Sequence, residues 1–143
     1  MAEPPSGPLD EEVLRTIQSR LERDDRFERV EFDPSPERIR MVVAHSSRTL
    51  YPESVEAARI DARWHVGGDY SVHYVECLAD GDRWECRWDR HPEEAGRRHL
   101  HPPPDAGPPE PADLPTDYRD VLATVLAYVE ERTERLWESS RGP

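Results

Sequence analysis

Polar and apolar residues alternate most cleanly in the middle of the chain. Over residues 60–66, Ile60, Ala62, Trp64 and Val66 interleave with Asp61, Arg63 and His65, the period-two pattern of a half-buried strand. Gly67-Gly68-Asp69 ends that run, residues 71–79 run back, and Asp80-Gly81 predicts a two-residue hairpin turn into a third strand starting at Arg83. With Asp80-Gly81 as the loop, Cys77 faces Trp84, Val75 faces Cys86 and His73 faces Trp88. A turn centred on Gly68-Asp69 sets Trp64 against His73 and Ala62 against Val75. One predicted face then carries Ile60, Ala62, Trp64, His73, Val75, Cys77, Trp84, Cys86 and Trp88. The other carries Asp61, Arg63, His65, Tyr74, Glu76, Arg83, Glu85, Arg87 and Asp89, a segregation that supports this register.

Helical spacing marks both ends of the chain. Leu9, Val13, Ile17 and Leu21 recur every four residues behind an Asp10 cap, with Glu11 and Glu12 in the favourable first turn. That helix is expected to end near Asp24-Asp25. Residues 26–33 and 38–45 read as strands flanking Pro34-Ser35-Pro36, and residues 46–58 as a loop followed by a short helix after Tyr51-Pro52. Near the other end, Thr116 is placed to cap a helix with Asp117 in its first turn. Tyr118, Val121, Leu122, Val125, Val129 and Leu136 form its apolar side, which fits over the tryptophan-rich face of the sheet and leaves the Arg/Asp/His/Tyr face open or covered by another partner. The predicted class is α+β: an antiparallel meander sheet of about five strands with an N-terminal and a C-terminal amphipathic helix. Residues 9–138 form a single domain with a Pro-rich loop at 102–115, and residues 1–8 and 139–143 are flexible tails.

Composition sharpens this picture. At 143 residues and 35% hydrophobic content the chain supports one economical core, helped by four Trp and five Tyr. The net charge is −12, and every one of the nineteen basic residues is arginine. Such acidity without lysine points to a salt-adapted, halophilic cytoplasm, where charge screening shortens to roughly 3 Å at 1 M salt. It argues against loose nucleic-acid binding but leaves room for a local anion site built from arginine. No apolar run reaches the length of a membrane span and no export signal is readable, so a cytoplasmic location without membrane contact is expected. Cys77 and Cys86 fall diagonally on adjacent strands and read as buried thiols rather than a disulfide.

The candidate chemistry collects between Arg83 and Asp105. Residues 83–101 hold five arginines against four acids, whereas the rest of the chain holds fourteen against twenty-seven. His99 and His101, two apart, point the same way in a strand. With His91 or Asp89 they have the donors for Zn²⁺, but without cysteine or a ligand spacing they fall short of a metal motif, and no metal or cofactor is expected. Two imidazoles with arginine at hand also suit metal-independent phosphodiester cleavage. One ring takes a proton from the 2′-hydroxyl, the other protonates the leaving oxygen, and arginine stabilises the charge on phosphorus. In that scheme His99 and His101 are acid and base, Asp89 orients a histidine, Arg87, Arg97 and Arg98 meet phosphate, and Tyr74 adds a hydroxyl. His65 is a secondary candidate on the polar face, and His73 reads as a hydrogen-bonded core residue.

Arg87-Trp88-Asp89 closing a three-stranded meander, then His99-Leu100-His101-Pro102 and a C-terminal amphipathic helix, resembles the TumE family of small toxins over roughly residues 58–136. In that family the last strand often reads Arg-Tyr-Asp and leads to a His/Pro-rich segment. This chain departs from the pattern in Glu93-Glu94-Ala95-Gly96 and in a longer Pro-rich linker. The resemblance implies a toxin-like component of a toxin–antitoxin pair with a cognate antitoxin as partner. RNA as the target, and hence ribonuclease activity, is an expectation from the residue chemistry. The alternative expectation is a non-catalytic acidic protein-interaction domain, with residues 102–115 as a docking strap or spacer.

Overall fold

Seven strands follow one another in sequence order across a single antiparallel sheet. The computed structural model describes residues 8–33, 41–91 and 98–141. Within them the strands are β1 (Phe27–Phe32), β2 (Val42–Ser46), β3 (Val55–Trp64), β4 (Tyr70–Leu78), β5 (Arg83–Arg90), β6 (Arg98–His101) and β7 (Glu110–Pro111). Helices α1 (Glu11–Glu22) and α2 (Tyr118–Ser140) flank them in sequence. The α+β class and the two terminal helices agree with the sequence. The strand count exceeds the expected five because the His-Leu-His step and part of the Pro-rich loop add β6 and β7 to the sheet edge. Pro34-Ser35-Pro36, Arg97 and Glu93-Glu94-Ala95-Gly96 lie outside the described residues.

Both helices pack on one face. A single buried cluster joins Leu14, Ile17 and Leu21 of α1, Val121, Leu122, Val125 and Val129 of α2, and Ala44, Ile60, Ala62, Trp64, Val72 and Trp88 of the sheet. Each Leu, Ile and Val among them contributes about 1.5–3 kcal/mol by leaving water. The Asp10 carboxylate caps α1 by accepting from the Val13 N–H at 3.1 Å. Leu14 joins Ile17 and Leu21 in the core, while Leu9 and Val13 pack half-buried against it. The cap of α2 is Asp117, which accepts from the Arg119 N–H at 2.9 Å, and not Thr116. The helix runs on to Ser140, two residues into the expected tail. No helix follows Tyr51-Pro52; a 3₁₀ turn at Arg48–Leu50 precedes it and β3 starts at Val55.

The predicted register of β4 is wrong, and the turns explain why. Leu78 bonds across to Asp82 through its N–H at 2.8 Å, so the β4–β5 loop is the three residues Ala79-Asp80-Gly81. Gly81 takes the left-handed position with φ +95°, the arrangement of a three-residue hairpin with a bulge. At the other end, the His65 N–H donates to the Asp69 carbonyl at 2.8 Å, giving a loop of Val66-Gly67-Gly68 with φ +99° and +96° at the glycines. An odd loop inverts the strand relative to a two-residue one. Observed partners are Tyr74↔Cys86, Val72↔Trp88 and His73↔Arg87 on one side of β4, and Ile60↔Tyr74, Ala62↔Val72 and Trp64↔Tyr70 on the other. Tyr70, Val72, Tyr74 and Glu76 therefore join the core face, while His73, Val75 and Cys77 move to the open face. Cys86 is buried and Cys77 half-buried, both as free thiols.

Candidate functional site

The β5–β6 ladder builds the site. Arg87 pairs with His101 and Asp89 with His99. Alternation along each strand sends all four side chains to the face away from the helices. His91, two residues beyond Asp89, joins them. One atom is the hub: Asp89 Oδ2 lies 2.9 Å from Arg87 Nε, 3.1 Å from His101 Nε2, 3.3 Å from His91 Nε2 and 3.7 Å from His99 Nε2. Asp89 Oδ1 has no hydrogen-bond partner among the described residues. The centre is graded in depth. The His99 side chain is 0% exposed and that of Asp89 2%, against 10% for His101 and 36% for Arg87.

The Pro-rich segment completes the site rather than trailing away from it. Past β6 the chain turns back along β5, where the Glu85 N–H donates to the Pro104 carbonyl and the Ala106 N–H to the Glu85 carbonyl. This brings the Gly107 carbonyl within 2.8 Å of His101 Nδ1. A carbonyl only accepts, so Nδ1 carries the proton. Arg87 Nη2, which only donates, sits 3.0 Å from His101 Nε2. His101 Nε2 thus stands between a donor, Arg87 Nη2, and an acceptor, Asp89 Oδ2 at 3.1 Å. Donor atoms of Asp89, His99 and His101 all lie within 4.8 Å of one another, a grouping able to hold a metal ion.

Two other predicted site residues stand elsewhere. Arg98 points to the opposite face and donates from Nη1 to the Leu114 carbonyl at 2.6 Å. Tyr74 is fully buried beneath α2. Its hydroxyl lies 2.9 Å from that of Tyr51 and donates to Glu76 Oε2 at 2.6 Å. Arg97 lies outside the described residues. His65 is buried beyond the end of β3.

His73 is the reverse case. Expected in the core, it stands on the open face with Nε2 3.0 Å from Glu85 Oε1. Partial burial lowers its pKa, and the Glu85 contact opposes that shift. Asp61, His73, Arg87 and His101 form one row across four strands. His91 was readable, since it shares the parity of Asp89. The place of His73 depended on one residue of loop length, and the Gly107 carbonyl on the return of the Pro-rich segment. Neither leaves a mark in side-chain periodicity.

A family model described as Toxin TumE matches residues 10–133. The match takes in α1 and the first two strands as well as the region from the meander onward that carries the likeness in the sequence. No curated protein and no solved structure matches the chain.

Proposed function

The chain belongs to the TumE toxin family, and from that premise we propose that it is the toxin of a toxin–antitoxin pair. In this reading it acts in the cytoplasm on RNA phosphodiesters at the Asp89 centre and is silenced by its cognate antitoxin. The observation that carries the proposal is the convergence of Arg87, His91, His99 and His101 on a single carboxylate oxygen. Among the described residues no helix is long and apolar enough to cross a membrane.

The roles follow from depth and charge. Arg87 is the most exposed member of the centre and the one able to meet a phosphate without unfolding anything. Beside it on the open face stand His73, Arg59 and Arg63, interleaved with Asp61 and Glu85. This row supports a local phosphate track in a chain whose overall charge of −12 repels nucleic acid. Metal-independent acid/base cleavage calls for two imidazoles within reach of the substrate. His101 meets solvent, whereas the burial of His99 favours an inner role in which it holds Asp89. Arg98 and Tyr74, on the far face, have no part in this centre.

The test is expression without the antitoxin. Wild-type protein is expected to arrest growth and to leave cleaved RNA whose ends map to discrete sites. His101→Gln and Arg87→Gln, folded to the same extent by circular dichroism, are expected to do neither. Equal arrest by wild type and both variants would move toxicity away from this centre and favour the acidic interaction-domain reading.

A further inference from the structure

We infer that Asp89, His99 and His101 form a binding site for one divalent first-row transition metal, with His91 beside them as a fourth donor. The inference deepens the proposed function by giving its centre a cofactor. It rests on the same cluster but not on RNA being the target.

Geometry is the first support. Four ligands placed tetrahedrally about 2.0–2.1 Å from a zinc ion stand roughly 3.3–3.4 Å from one another. The three imidazole Nε2 atoms stand 3.1, 3.3 and 3.7 Å from Asp89 Oδ2. The His91 and His99 rings, and the His99 and His101 rings, meet edge to face at 4.7 and 5.1 Å between centroids. Donor atoms of Asp89, His99 and His101 all lie within 4.8 Å of one another.

Proton accounting is the second support. His101 Nδ1–H is committed to the Gly107 carbonyl at 2.8 Å, the outer-shell bond that fixes the tautomer of a ligating histidine. Its Nε2 then faces Asp89 Oδ2 at 3.1 Å. A nitrogen and a carboxylate oxygen at that separation are held together by a positive charge, either a proton on Nε2 or a metal ion in its place. The Arg87 guanidinium also contacts both, at 2.9 Å through Nε and 3.0 Å through Nη2. A carboxylate and an imidazole that together contact a guanidinium have the charge and the donors for a metal ion. Imidazole and carboxylate together suit zinc, iron, cobalt or nickel better than magnesium or calcium. Arg87 is then a competitor for the position and not only its neighbour, which an ion-pair network of purely structural purpose does not require.

The experiment titrates the full chain, freed of metal by chelation, with Co²⁺ alone and then with Zn²⁺. One equivalent of Co²⁺ with strong visible absorption, displaced by Zn²⁺, is expected. Asp89→Asn and His101→Gln should each weaken binding by about a hundredfold or more, while Arg87→Gln should tighten it. Should the Asp89 variant fail to fold, His101→Gln at the solvent edge still decides the question. Sub-stoichiometric binding, or binding that both ligand variants leave unchanged, overturns the inference. The two readings fail separately. Stoichiometric metal binding without any RNA cleavage removes the RNA target and keeps the site. Full cleavage by chelator-treated protein that takes up no metal removes the site and returns the chemistry to proton transfer at His101.

Discussion

His73 feels two opposed forces. Burial disfavours its charged form and lowers its pKa, and the contact with Glu85 works against that, with Asp61 on its far side and Arg87 opposite. Burial wins. The folded ring holds its proton less tightly than the unfolded ring, whose value lies near 6.5. The unfolded state therefore binds more protons in the window just below pH 6.5. The contribution of His73 is fully present above that value and is lost as pH falls through it toward the folded value. Urea midpoints measured from pH 7.5 down to pH 5 should fall more for wild type than for His73→Gln. Identical slopes would place the ring in water. The same residue shows what side-chain parity conveys. Arg87, Asp89, His99 and His101 were legible as one group because the two-residue alternation of β5 and β6 sends them the same way. Tyr74 and His73 exchanged faces because their strand hangs between two turns, each one residue longer or shorter than its glycines alone announce.

At the scale of elements, α2 is joined to the sheet by a buried polar chain that no sequence period reveals. Glu76 is fully buried and accepts from Arg132 at 2.8 and 3.0 Å. It also accepts from Tyr74, which meets Tyr51, and the Arg132 guanidinium lies 3.6 Å above the Trp84 ring. Glu76 falls on the face expected for polar residues when β4 is read in the wrong register, so its burial came as part of the same correction. Removing one partner of a buried pair strands the other. Glu76→Gln should cost about 3 kcal/mol or more, measured by denaturant unfolding. The loss should appear together with a change in Trp84 fluorescence, because the cation above that ring is released. A cost below about 0.5 kcal/mol, ordinary for a surface pair, would mean that the helix is held by its apolar stripe alone. That stripe was the legible part of α2: Val121, Leu122, Val125 and Val129 face the core as their spacing requires.

For the whole molecule, charge and layering act together. One face of the sheet is sealed by two helices, and the other presents alternating acids, arginines and histidines in a chain of net charge −12 without lysine. Self-repulsion of that size should make the fold salt-dependent. The melting temperature is expected to climb as KCl is raised from dilute buffer toward molar concentrations. A flat response would trace the arginine bias to coding preference rather than to adaptation. The two-layer plan itself was open to reading from the meander and the terminal helices. The sixth and seventh strands were not, because four and two residues amid prolines carry too little alternation to stand out. Those short strands nonetheless close the Asp89 centre. Its unity is tested most directly by a double-mutant cycle: growth arrest without antitoxin for wild type, Asp89→Asn, His101→Gln and the double variant. Side chains that act as one centre predict a double variant no more impaired than either single one. Partial losses that multiply in the double variant would show two independent groups and contradict the account.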